Sequence, residues 1–209
     1  MRIGVIGAGR IGANAARLWR NAGHEVMLSF TRDPAALEER AAAIGARTGT
    51  PAEAAAFGDV VMLSVPWRLI DAVLADVGSL AGKIVVDTTN QFGAGGVEEL
   101  PEGRTAAQLN ADRLPGARYT KAFNTLTSGF QAEAAGRTGP DRVALFLAGD
   151  DAPAKDVVAA LIDDAGFTAI DVGGTADAAI MEAPRRTGAV YGVEFNADDG
   201  RAFLAAARG

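Results

Sequence analysis

The apolar run Ile3–Ile6 breaks into Gly7-Ala8-Gly9-Arg10-Ile11-Gly12 and resumes as an Ala-rich stretch of helical period, Ala13–Arg20. Strand, glycine turn and helix in this order leave few folds open, because each glycine has a separate steric task. Gly7 permits the tight turn, Gly9 lets a pyrophosphate come up to the backbone, and Gly12 lets the helix lie close on the strand. The amides exposed at the helix start, with the positive end of its dipole, then hold the anion. Ala8, Arg10 and Ile11 complete the candidate cradle. The pattern alone is common, and its place between the first strand and the first helix gives it meaning.

Further along, short apolar runs keep alternating with helical segments. Glu25–Ser29 reads as a second strand, after Gly23 has ended the first helix in a left-handed cap. Asp33 and Pro34 suit the N-cap and first turn of a helix over Ala35–Ile44. Val60–Val65, Lys83–Asp87, Arg118–Phe123, Val143–Leu147 and Thr168–Val172 are the remaining strands, with helices over Leu69–Val77 and Ala152–Ala165. Near-continuous apolar strands alternating with helices predict an α/β protein, a doubly wound and mainly parallel Rossmann sheet with a short C-terminal α/β extension. The expected division is a dinucleotide-binding domain over 1–150 and, over 151–209, an extension completing the sheet and the acceptor site. The Gly-rich stretch Phe92–Gly103 is long for a loop in such a domain and is suspect as functional.

Composition narrows the chemistry. Cysteine is absent and His24 is the single histidine, which removes thiol chemistry and leaves little scope for zinc; no metal is expected. A net charge of −6 argues against a nucleic-acid partner. No signal segment and no apolar run of about 18 residues is present, so the expectation is a cytoplasmic protein without membrane contact.

The end of the second strand bears on the choice between NAD and NADP. An NAD site places an acid about 20 residues past the first glycine, on the ribose hydroxyls. Here the stretch is Leu28-Ser29-Phe30-Thr31-Arg32, with no acid. Ser29, Thr31 and Arg32 offer two hydroxyls and a guanidinium suited to a 2′-phosphate. Asp33, ahead of Pro34, reads as a helix cap instead. Arg32 reads either as that clamp or as a solvated charge.

Those residues, with Gly23-His24-Glu25, Ser64-Val65-Pro66-Trp67, Val86-Asp87-Thr88-Thr89-Asn90, Lys121-Ala122-Phe123-Asn124-Thr125 and Ala148-Gly149-Asp150-Asp151, recur in an ordered set. The set resembles the NADPH:coenzyme F420 oxidoreductase family over about residues 1–183; a similar domain occurs in the cytosolic part of certain membrane metalloreductases. The resemblance implies NADP(H) as cofactor, with Thr31 and Arg32 on the 2′-phosphate and Val65 and Pro66 beside the adenosine half. It further implies that Asn90, Ala122, Phe123 and Asn124 face the nicotinamide, and that the Ser128 backbone meets the carboxamide. Two features depart from the family. Asn124 stands where the deazaflavin enzymes have His, and the segment Glu182–Gly192 replaces an apolar C-terminal helix.

The acceptor is read mainly from absences. Reduction of a ketone or imine generally uses a positioned acid, and Tyr119, Lys121 and Asn124 form no recognisable acid constellation. Hydride transfer to a flavin or deazaflavin needs ring stacking more than acid catalysis. The expected activity is therefore an NADP-dependent oxidoreductase acting on a flavin or coenzyme F420-like acceptor, with Asn124 positioning the rings. Arg185, Arg186 and Tyr191 are candidates for holding that acceptor, or else belong to a solvated loop or a subunit contact. A non-catalytic NADPH-binding or redox-sensing protein and a reductase of small carbonyls or imines remain open. A homodimer built partly from the region after Ala183 is also expected.

Overall fold

The structure, a computed structural model, describes residues 1–30 and 33–208. Its centre is an eight-stranded sheet. In chain order the strands are β1 (Arg2–Ile6), β2 (Glu25–Ser29), β3 (Arg47–Gly49), β4 (Val60–Leu63) and β5 (Ile84–Asp87), then β8 (Arg118–Ala122), β9 (Ala144–Gly149) and β10 (Thr168–Asp171). The intervening β6 (Phe92–Gly93) and β7 (Gly96–Val97) form a small antiparallel hairpin of their own. The helices are α1 (Arg10–Asn21), α2 (Pro34–Ile44), α3 (Pro51–Phe57), α4 (Ile70–Val77), α5 (Ala106–Asp112), α6 (Ser128–Ala134), α7 (Ala152–Asp164) and α8 (Ala197–Arg208).

The strand order is β10-β9-β8-β5-β4-β1-β2-β3. Neighbours run parallel except β8 and β9, whose register is antiparallel. The chain winds outward from β1 through β2 and β3, returns to β4 on the other side of β1, and continues through β5 and β8. Between β1 and β4 the winding reverses, and open α/β sheets bind ligands beyond the carboxyl ends of the strands at such a reversal.

Alternation along the strands covers both faces of the sheet, as the continuous apolar runs require. In β4, Val60 and Met62 join the layer made with α1, α2, α6 and α7, through Trp19, Ala41, Ala134 and Leu161. Val61 and Leu63 join the opposite layer, with Ala54 of α3, Ile70 of α4, Ala106 of α5 and Leu204 of α8. The buried Trp19 indole N–H donates to the Leu161 carbonyl at 2.8 Å and so ties α1 to α7. No described helix is long and apolar enough to cross a membrane.

Gly23 does turn left-handed (φ 89°) after α1, and Asp33 does cap α2, accepting from the Ala35 and Ala36 amides. Helix α1 begins at Arg10, inside the glycine loop, three residues before the predicted start at Ala13. β3, α3, α5, α6 and α8 carry no expectation from the sequence. Two of them have recognisable starts, the capping boxes Thr50/Glu53 at α3 and Thr105/Gln108 at α5. Their two-turn length hides the helical period.

Candidate functional site

The glycine loop is shaped by the backbone around it. Gly7 has φ 110°, and a Cβ there would stand 2.2 Å from the Ser64 carbonyl oxygen. Its amide donates to Ser29 O at 2.9 Å, and that of Ala8 donates to Phe30 O at 3.1 Å, which fastens the loop to the end of β2. A Cβ on Gly12 would lie 2.1 Å from the Gly7 carbonyl oxygen, so α1 and the loop touch through backbone. From α2, the Arg40 guanidinium donates to the Ala8 carbonyl.

Gly9 differs from its neighbours: it is exposed, extended, and has no described atom within 4 Å of a would-be Cβ. It is the N-cap of α1, no described side chain caps that helix, and no acid occupies its first turn. First-turn amides have no acceptor inside a helix, so the loop presents amides without a competing anion. An approaching pyrophosphate meets bare backbone and the positive dipole end.

From this loop a cleft of about 1060 Å³ runs past the strand ends. Arg10 and Ile11 border it at the loop, Val65 and Pro66 after β4, Asn90 after β5, and Phe123, Asn124 and Ser128 after β8. Arg185 and Tyr191, from the C-terminal segment, also line it. Strand order explains the convergence, since β1, β4, β5 and β8 are successive neighbours. At about 4.8 Å per strand, the ends of β1 and β8 are roughly 14 Å apart, a span suited to an extended ligand.

Other predicted residues stand elsewhere. Ser29 is fully buried, and its hydroxyl donates to Val5 O at 3.2 Å. Ala122 is fully buried beneath Phe123 and Asn124. Arg186 does not line this cleft; its guanidinium donates to the carbonyls of Ala179, Glu182 and Pro184 and fixes the base of its own loop. Thr31 and Arg32 lie outside the described residues.

Past β5 and β8, two asparagines clasp each other. Asn90 Nδ2 donates to the Asn124 carbonyl at 3.0 Å, and Asn124 Nδ2 donates to Asn90 Oδ1 at 3.2 Å and to Met181 O at 2.6 Å. The Ala183 amide also donates to Asn90 Oδ1, at 3.2 Å. This pins the C-terminal segment to the floor of the cleft. Asn124 Oδ1 is buried without a partner among the described residues, which native structures rarely tolerate unless a ligand or water supplies a donor. Phe123, just before it, is left-handed (φ 61°), a conformation costing a non-glycine residue on the order of 1–3 kcal/mol. Burial holds it there: its ring meets the edge of Trp19 at 5.5 Å, and Gln131 donates to its carbonyl at 3.1 Å. The chain thereby leaves β8 abruptly and delivers Asn124 to the cleft.

Behind the cleft lies a charged cluster that no sequence pattern announced. Asp87 and Lys121 are both fully buried, with Lys121 Nζ 3.2 Å from Asp87 Oδ2 and 2.6 Å from Thr89 O. Asp87 also accepts from Tyr119 Oη at 2.6 Å, Asn110 Nδ2 at 2.8 Å and the Thr89 amide at 2.8 Å. Burial alone would raise the Asp87 pKa, but the Lys121 charge and these donors outweigh it and hold the carboxyl below its usual range. The same burial and the neighbouring Asp87 charge push the Tyr119 phenol well above its ordinary pKa. Glu182 completes the cluster, 3.8 Å from Lys121 Nζ and accepting from the Ala106 and Ala107 amides that open α5. Tyr119 and Lys121 are thus committed inside the fold and do not line the cleft.

The paired acids Asp150 and Asp151 are structural as well. Asp150 accepts from the Thr175 amide and hydroxyl at 2.9 and 2.7 Å. Asp151 caps α7 and forms a two-point pair with Arg118 at 2.6 and 2.8 Å, which lowers its pKa to about 2. Several cleft residues escaped the sequence reading: Trp67, Thr88, Phe92, Phe130 and Glu194. Trp67 directly follows Val65-Pro66 and is within reach of the motif; Glu194 becomes a neighbour only where the segment before α8 is fastened to the start of β9, through the Val143–Asn196 bridge.

Comparison with known proteins agrees with this geometry. Residues 2–91, which contain the glycine loop and the ends of β1, β4 and β5, match the family described as NADP oxidoreductase, coenzyme F420-dependent. Among family-like structures, a protein of Arthrobacter sp. FB24, provisionally described as an F420-dependent NADP reductase, is 27% identical with a TM-score of 0.73, over 84% of this chain and 86% of its own. A hypothetical protein of Sinorhizobium meliloti is 28% identical with a TM-score of 0.82, over 94% of this chain and 95% of its own. The metalloreductase STEAP3 of Rattus norvegicus is 28% identical over 185 residues, and the chain spans 36% of that protein's length.

Proposed function

We propose that the chain is an NADP(H)-dependent oxidoreductase whose second substrate is a flat, anionic ring of the flavin or deazaflavin type, such as coenzyme F420. The observation that carries this reading is a single cleft joining Arg10 and Ile11, at the start of α1 beside the glycine loop, to Arg185 and Tyr191. The residues fit the dinucleotide. The exposed Gly9 leaves room for a pyrophosphate, and the unpartnered Asn124 Oδ1 is a ready acceptor for a carboxamide N–H. Arg10 would add charge at the phosphates, and Thr31 with Arg32 would take the 2′-phosphate. When bound, NADPH supplies the hydride.

The protein's own part is positional. The clasp of Asn90 and Asn124 fixes the cleft floor where the two rings must overlap, and the apolar walls from Val65, Pro66 and Phe123 keep water away. Arg185 makes no hydrogen bond to another described residue and is available for a phosphate or carboxylate on the acceptor. With Tyr119 and Lys121 tied to Asp87, neither supplies a proton to a carbonyl substrate. Tyr191 favours a second reading, reduction of a small carbonyl or imine. Its phenol lines the cleft, and burial raises its pKa, so it stays protonated at neutral pH.

Stopped-flow absorbance at 340 nm with FMN, FAD, a deazaflavin, and a carbonyl and imine panel separates the two readings. Brisk NADPH oxidation by a ring is the expected result. Turnover confined to carbonyls or imines, abolished by Tyr191→Phe, would replace the first reading by the second.

A further inference from the structure

The hairpin formed by β6 and β7 stands apart from the main sheet. Its two paired side chains, Phe92 and Val97, are 45% and 37% exposed and are the large exposed apolar residues besides Met1 among those described. Phe92 lines the cleft and Val97 does not. The hairpin is fixed in place: the Glu98 amide donates to Gln91 O at 2.8 Å, and its carboxylate accepts from the Trp67 indole N–H at 3.0 Å. Trp67 is itself held under the Arg113 guanidinium, 4.7 Å from its ring centre. An aromatic side chain kept in the open by a buried tryptophan and a carboxylate is not explained by packing within the chain.

Strand order gives its position along the cleft. The glycine loop follows β1, whereas Phe92 follows β5 closely, two strands away. It therefore borders the end of the cleft that holds the Asn90–Asn124 clasp, opposite to the phosphate-binding end. Arg185 and Tyr191 line the cleft from the C-terminal segment, which is fastened beside Asn124 by the Gly192 amide on Thr125 O. A ligand there meets an apolar aromatic face from one element and an unpaired cation from another. That pairing suits a flat conjugated ring carrying an anionic tail.

We infer that Phe92 is the stacking wall for the acceptor ring, a specificity-determining residue that favours flat aromatic acceptors over small carbonyl compounds. The inference rests on the ring-acceptor reading above and names the surface that enforces it. Aromatic stacking together with the buried ring area is lost on truncation, so Phe92→Ala should raise the KM for a ring acceptor roughly 10-fold. Phe92→Tyr keeps the stacking face and should stay close to wild type. Val97→Ala perturbs the same hairpin without touching the cleft and should also match wild type.

The test measures NADPH oxidation against FMN and a deazaflavin for the wild type and these three variants. Dissociation constants for NADPH are taken separately by fluorescence titration, and molar mass by light scattering. The expected result is a raised acceptor KM in Phe92→Ala alone, with NADPH affinity and molar mass unchanged. An unaltered KM in Phe92→Ala, an equal loss in Val97→Ala, a parallel loss of NADPH affinity, or a changed oligomeric mass would each overturn the assignment while leaving the ring-acceptor reading intact. A wild type that neither oxidises NADPH with any ring nor binds one would overturn both together.

Discussion

Gly9→Ala is the substitution that most cleanly separates binding from folding in this chain. The residue already has an extended backbone, φ −73° and ψ −165°, which alanine adopts freely. No described atom lies within 4 Å of the added methyl group, so the described fold has no clash to relieve. Alanine is a poorer N-cap than glycine, at a cost of about 0.5 kcal/mol. In a chain of this size that moves Tm by roughly 1–2 °C. Binding is affected differently, because the methyl group occupies the space through which a pyrophosphate reaches the α1 amides. Losing one charge-assisted hydrogen bond costs about 1.5–3 kcal/mol, so the Kd for NADPH should rise by roughly 10- to 150-fold. Gly12→Ala is the counterpart: its Cβ would meet the Gly7 carbonyl at 2.1 Å, so it should lower Tm markedly. Fluorescence titration and thermal unfolding of both variants measure the contrast. A Gly9→Ala protein with wild-type affinity for NADPH would refute the loop as the pyrophosphate site.

Arg32→Ala should weaken NADPH by roughly 10- to 100-fold while sparing NADH, if that side chain holds the 2′-phosphate; equal loss for both cofactors refutes the clamp. Asp87→Asn leaves the Lys121 ammonium buried without its principal counter-charge, so unfolding in urea should show a loss of about 3–5 kcal/mol. Asp151, depressed to about 2, contributes stability that is complete above its unfolded pKa and is lost as pH falls toward the folded value. Asp151→Asn keeps a capping side chain and should flatten the fall of Tm with acid between about pH 4 and pH 2. Light scattering over a range of concentrations tests the expected homodimer; a constant monomer mass removes it.

Much of the nucleotide half was legible because its constraints are local. Gly7 needs a left-handed φ, Gly12 needs contact between backbones, and both needs are met within a few residues of sequence. Asp33 and Gly23 were readable for the same reason. The charged cluster was not, because Asp87, Lys121 and Glu182 become neighbours only when β5, β8 and the C-terminal segment are brought together. Each alone reads as an ordinary surface charge. Arg185 and Arg186 look equivalent as a pair, yet one borders the cleft and the other is spent on three carbonyls, a difference set by the loop path. Phe92 was hidden in a glycine-rich stretch that was recognised as unusual but gave no sign of a hairpin.

The stretch from Arg185 to Gly192 has a further consequence. Its base is anchored by Glu182 on α5 and by the Arg186 guanidinium, and its far end by the Gly192 amide on Thr125 O at 2.8 Å. Between those moorings it contributes Arg185 and Tyr191 to the cleft but no strand to the sheet. Natural variation or design can therefore exchange this span as a cassette, reshaping one wall of the cleft while the glycine loop and the sheet stay unaltered.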